Sequence, residues 1–443
     1  MNPSRRPFSR FEKTLLFGVP ILLIFLLGGA AMQAKINDAP GVVFPTPVPT
    51  PNPNGLDLYL EAANAITPAN PAVDAVNDPK NLLQTDPQLA AQQFSLARKK
   101  AWLGANAAGF ALFEEALAAE SRHRDTRGQI GGFIRYSPFR QLARDKVVEV
   151  HALTLQKKWP EAVDSSLDII EMGSDIGRGA PMMGKLVGSA IISLGRAPLT
   201  DNQFLPEKLD AASARAAATR LEAILKNRPT YKAALEEERW VTLSNFLTVS
   251  KDPKWRDASS YERKASWRDQ VATHVSSKQT IVAQINRSFD LRLADFALPW
   301  KSPDTPQPIT NPIVRMFQAS NFPRSQEATE LVPSQILLLR FALRAYRLEN
   351  GAFPAKLDDL APKYLQQIPK DIFADRAPFR YRVKNGDYEL WSIGPDGKDD
   401  GGVPLKWNNG ASGANEIGAF PRLNYLSRRV PAPSGDYVAR RNS

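Results

Sequence analysis

Three aspartates, Asp396, Asp399 and Asp400, fall within five residues and stand among Gly394, Gly397, Gly401 and Gly402. Hard cations take several carboxylate and carbonyl oxygens from a loop flexible enough to wrap them, so this loop is a candidate calcium site. Its spacing is not that of a helix–loop–helix calcium site, and a water-exposed glycine–aspartate turn is the structural alternative. Other acids are dispersed. Glu114, Asp145 and Asp164 could serve a hydrolase only if the fold brought them into one polar cleft.

Several patterns carry less chemistry than their outline suggests. Glu236, Glu237 and Glu238 are consecutive. Adjacent residues on a helix point in different directions, so these carboxylates cannot flank one bond. The run from Gly179 to Lys185 has the spacing of a phosphate-binding loop, but Leu186 stands where magnesium needs Ser or Thr. A helical segment precedes it where a strand is required, so it reads as a helix start with packing glycines. The chain has no cysteine, which excludes disulfides, thiolate metal sites and a cysteine nucleophile. His123, His151 and His274 are too dispersed to suggest a zinc site. Trp255, Arg256, Tyr261, Arg263, Lys264, Trp267 and Arg268 interleave cations with aromatics as single-strand nucleic-acid binders do. The topology read below argues against nucleic acid, and the segment reads as irregular and partly exposed.

The elements that must position these residues begin with a span. Thr14 to Met32 is uncharged over nineteen residues, close to the length that crosses a bilayer as a helix. Arg5, Arg6, Arg10 and Lys13 precede it, which holds residues 1–13 in the cytoplasm and puts the remainder outside. The expectation is a retained single-pass anchor in the inner (cytoplasmic) membrane. Gly29, Ala30 and Ala31 keep open export with signal-peptide cleavage, and Ser4 to Phe8 resembles a twin-arginine signal. Residues 33–55 are proline-rich and predict an extended stalk holding the body off the membrane.

From 56 to 330 the helical period dominates, with apolar residues at three- and four-residue spacing but no fixed repeat. This predicts an irregular all-α domain. Hydrophobic and charged contents of 43% and 23% are ordinary for a globular body. The formal charge of +11 favours anionic partners, such as lipid headgroups or a cell-surface polymer, although the cations are scattered.

Residues 331–403 predict a smaller α+β head. Ile336, Leu339, Leu343 and Tyr346 form one face of a long helix, with Arg340, Arg344 and Arg347 on another. Gly351 is placed to end it, and Leu357 to Leu365 to fold back on it. Asn385-Gly386 is the strongest short hairpin signal. A two-residue turn pairs Val383 with Tyr388, Arg382 with Glu389, Tyr381 with Leu390 and Arg380 with Trp391. Phe379, Tyr381, Val383, Tyr388 and Leu390 should then cover the helix, leaving an ion pair and an Arg380–Trp391 cation–aromatic pair outside. Residues 404–443 read as a basic, partly ordered tail rich in Gly, Asn and Pro.

This order of residues, Ala342, Leu343, Tyr346, Asn350, Gly351, Phe353, Pro354, Pro369, Asp371, Tyr381, Ser392, Gly394, Asp396 and Gly397, resembles the head of the major pseudopilin of type II secretion systems. The resemblance covers about seventy residues. It implies calcium at the acidic loop, held by Asp396, Asp399 and Asp400. Residues 10–14 lack the pilin cleavage signature, and some three hundred residues separate span from head. The expectation is thus a mainly α, membrane-anchored extracytoplasmic scaffold or interaction protein with a pseudopilin-like head, binding protein partners. Two alternatives stand beside it: an extracytoplasmic hydrolase with its site in the helical domain, and an accessory component of a secretion or pilus-like machine.

Overall fold

The computed structural model describes residues 29, 41–66, 95–129, 134–200, 205–252, 255, 276–300, 323–403 and 437–440. The expected span apart from Gly29, the stretch from Arg256 to Arg268, and most of the tail lie outside these residues. Among the described residues no helix is long and apolar enough to cross a membrane.

The architecture is mainly helical. In chain order come α1 (Gly55–Ala65), α2 (Leu96–Ala105), α3 (Ala107–Ala118), α4 (Ser137–Leu155), α5 (Trp159–Ile176), α6 (Met182–Thr200), α7 (Leu205–Lys208), α8 (Ala211–Lys226), α9 (Tyr231–Val249), α10 (Lys278–Asp295) and α11 (Pro323–Asn350). Side-chain caps start several of them: Asn54, Ser95, Asp210, Thr230 and Ser277 each accept a hydrogen bond from a first-turn backbone N–H. Pro160 sits in the first turn of α5, where its missing N–H costs no hydrogen bond.

The glycines after Gly179 do pack helices. A Cβ on Gly188 would lie 2.3 Å from the carbonyl oxygen of Gly173, and one on Gly195 would lie 2.8 Å from that of Ser166. Helices α5 and α6 therefore cross with their backbones in contact, which only glycine at these positions permits.

Residues 42–54 do not form a free stalk. Val42 and Phe44 pack against the cluster built on α9 and α10, and Phe44 meets Trp240 edge to face at 6.1 Å. Arg127 Nη1 donates to the Pro45 carbonyl at 2.7 Å, while its Nε and Nη2 hold Glu237 at 3.0–3.1 Å. Further on, Asn54 exchanges hydrogen bonds with the backbone of Arg122, and Gly55 N donates to Glu120 O. Proline-rich backbone has few donors of its own. Its carbonyls, caps and aromatic contacts bind it to the body as a strap.

Helix α11 corrects the amphipathic reading. Residues 336–343 are buried without interruption, more than two full turns, so the helix is covered on every side there. Arg340 is itself buried, with Leu199 O at 3.5 Å and Glu207 at 4.0 Å, and Arg344 donates to Leu209 O at 3.0 Å. The helix ends where expected. Gly351 has φ +78° and donates to Arg347 O. Tyr364 folds back to Tyr346 at 5.4 Å.

The hairpin of β3 (Arg380–Lys384) and β4 (Asp387–Ser392) has the predicted register, from Arg380 opposite Trp391 to Val383 opposite Tyr388. Asn385 and Gly386 both have positive φ, as the turn requires. Three details differ. Val383 is 45% exposed, at the turn end of the hairpin. Arg382, not Arg380, lies over Trp391, at 5.0 Å, since Arg380 is drawn to Asp399. A third strand, β5 (Tyr437–Arg440), pairs antiparallel with β4, so the tail returns to the sheet. A two-stranded ladder, β1 (Lys370–Asp371) with β2 (Ala377–Pro378), precedes the hairpin.

The core is continuous across the expected 330/331 boundary. One apolar cluster runs from Tyr59 and Leu167 through Ile336 and Leu343 to Phe379 and Leu390.

Candidate functional site

The acidic loop follows directly from β4, and strand geometry aims its side chains. Trp391 Nε1 donates to Asp399 Oδ1 at 2.9 Å, Arg380 Nε donates to Oδ2 at 2.9 Å, and Gly401 N adds a third donor at 3.1 Å. Burial pushes the Asp399 carboxyl up, but the bonds from Trp391, Arg380 and Gly401 outweigh it and hold the group below its ordinary value. Asp396 accepts from Lys398 N at 3.1 Å in a turn of its own. Gly394, Gly397, Gly401 and Gly402 all have positive φ. Among the described residues no three His, Cys, Asp or Glu side chains are grouped to hold a metal. As arranged, Trp391 and Arg380 each take one oxygen of Asp399, so a calcium ion at this carboxylate would compete with the Arg380 guanidinium.

Asp371 anchors this loop from beneath. Its buried carboxylate accepts from Ser392 Oγ, Ile393 N and Phe373 N at 2.9–3.0 Å, tying the β1 turn to the end of β4. Burial raises its pKa, and those three bonds lower it only in part.

The three acids considered for hydrolysis go to separate partners. Glu114 meets Lys146 at 2.7 Å. Asp164 lies 4.0 Å from Arg220. Asp145 accepts from Gln141 at 3.0 Å, and burial pushes its carboxyl up to about 7. What the fold does assemble there is a chain of charge: Lys146 reaches Glu114, Glu149 and Asp168, and Arg220 reaches Asp168 and Glu171. Lys146 also lies 4.7 Å from the Phe113 ring centre.

A second cluster escaped the sequence reading. Lys185 Nζ meets both oxygens of Glu330 at 2.7 and 2.8 Å, Ser189 Oγ donates to the same carboxylate, and Tyr231 OH is 2.7 Å from Ser189. These residues join α6, α9 and α11. Lys185 is 0% and Tyr231 1% exposed, so the cluster is closed to solvent and its role is in packing. Burial pushes the Tyr231 hydroxyl well above its ordinary value. The available signal was spacing: Lys185 and Ser189 stand one turn apart, as do Glu327 and Glu330. Charged side chains are seldom buried, which points a sequence reader the other way.

No family model, no curated protein and no solved structure matches this chain.

Proposed function

We propose that the protein is a single-pass, membrane-anchored scaffold or interaction protein with its folded body outside the cytoplasm. One observation carries the reading: the uncharged run Thr14 to Met32 behind Arg5, Arg6, Arg10 and Lys13. Support for a pseudopilin-like head comes from the order of α11, its glycine end, the folded-back Tyr364 and the hairpin, together with the residues quoted for the resemblance. That head favours, as a second reading, an accessory role in a secretion or pilus-like machine. The anchor is tested by fractionation and by protease on spheroplasts. The reading expects the chain to stay with membranes through a high-salt wash and to be cut from outside. Release by salt, or protection until lysis, overturns it. Copurification with a secretion assembly would separate the second reading from the first.

A further inference from the structure

We propose that the exposed stretch of the strap, with Val43 and Val48, lies on the bilayer surface, and that the Arg127–Glu237 clasp holds the helical body in that orientation. The inference rests on the anchored reading above. Three observations lead to it.

The first is reach. The apolar run ends at Met32 and the strap begins at Gly41, nine residues on. Nine extended residues span at most about 32 Å. A body fixed to the chain at Val42 cannot stand off further, whereas a free stalk would add the whole length to Asn54.

The second is the clasp. Arg127 is only 11% exposed at its side chain and bridges Glu237 of α9 to the Pro45 carbonyl. Phe44 on Trp240 closes the same joint. The point where the chain leaves the body is therefore set by side chains of the body itself.

The third is the exposure of the strap. Successive residues of extended chain face opposite ways. Val42 and Phe44 turn in to the α9–α10 cluster, and Val43 between them faces out at 88% exposure; past the clasp the alternation stops and residues 45–50 are all exposed, Val48 at 59%. Two branched apolar side chains are thus exposed on a segment clamped at Phe44 and Pro45, and on the anchored reading the lipid interface is the nearest apolar medium.

The hairpin supplies the control. Glu327 touches the first residue of α9, and Gly351 lies 24 residues later on the same helix line, roughly 36 Å away. The hairpin packs near that far end through Phe353 and Tyr388. Val383 at its tip should therefore stand away from the bilayer.

Because the chain has no cysteine, single reporters are simple to place. The full-length protein carrying V43C, V48C, M183C or V383C would be labelled with a donor dye. It would then be reconstituted in phosphatidylcholine vesicles bearing a headgroup acceptor. We expect several-fold stronger energy transfer from positions 43 and 48 than from 383. Arg127→Ala should lower transfer from position 183 on the body while leaving position 43 high. Flotation with equal transfer from 43 and 383 overturns the orientation alone, as does a Val43 label screened from lipid by a bound protein. Failure to float overturns the anchored reading and the orientation with it.

Discussion

Asp145 is where a single residue should be felt in solution. Its carboxyl is raised from an ordinary value of 3.8 to about 7, chiefly by burial on α4. A folded-state pKa above the unfolded value means that folding favours the protonated form. The full contribution to stability is present below about pH 4 and is lost as pH rises towards 7. At pH 8 the charge, partly buried and partly screened by solvent, is a liability on the order of 2–4 kcal/mol. Asp145→Asn should therefore raise the melting temperature at pH 8 and leave it nearly unchanged at pH 4. An equal effect at both values would show that the charge is not the cause. Asp399 shows the opposite environment, a carboxylate held down by Trp391, Arg380 and Gly401. If Arg380 competes with a cation there, Arg380→Gln should give a larger calcium-induced rise in melting temperature than the parent chain shows. Equal responses would remove Arg380 from the question. The aspartates were legible in the sequence because the glycine loop announces itself. Their partner was not, because the strand register puts Arg380 opposite Trp391 without saying which acid either side chain will meet.

Elements in this fold are joined by two devices of different legibility. The α5–α6 crossing is a glycine contact, and Gly188→Ala would drive a Cβ to 2.3 Å from a backbone carbonyl that cannot swing aside. Overpacking of this kind costs about 1–3 kcal/mol, read as a lower denaturation midpoint with unchanged slope. The α6–α9–α11 joint is ionic. Lys185→Met should be costly, on the order of 3–5 kcal/mol, because Glu330 is left as an unpaired buried charge. A Lys185→Met, Glu330→Met double variant should recover much of that loss. If the double variant is as unstable as the sum of the singles, the pair is not coupled. The hairpin was the most legible element, since Asn385-Gly386 admits one turn geometry and that turn dictates every pairing behind it. The burial of α11 was not legible. An arginine row at Arg340, Arg344 and Arg347 reads as a solvated face, yet carbonyl and carboxylate acceptors on the helical side satisfy two of these groups inside the body. Strand β5 was equally hidden, because a strand added from a distant tail leaves no local period.

At the scale of the molecule, the question is whether the head and the helical body are separate units. Sequence composition places a boundary at 330/331, but that cut falls inside α11, between residues that lie in one helix. On either side of it the same helix carries contacts in both directions: Glu330 to Lys185 in the helical body, and Leu343 within the cluster that reaches Leu390 of the hairpin. Glu222 of α8 accepts from the backbone N–H groups of Gln366 and Gln367 at 2.9–3.2 Å, and Arg215 of the same helix pairs with Glu349. A domain keeps its own core and meets its neighbour through few contacts. Here the core itself crosses the boundary, with α11 as its shared axis. Thermal or denaturant unfolding of the soluble body should therefore follow one cooperative transition by near-ultraviolet and far-ultraviolet dichroism alike. Fragments divided at 330/331 should each lose cooperative unfolding, because each is left with half of a helix and an uncovered apolar face. Two separated transitions in the intact body, or a cooperatively folded fragment 331–403, would show that the head is an independent unit. A head fused to the body through its own central helix moves as the body moves, so whatever the hairpin face meets also senses the orientation set at the strap.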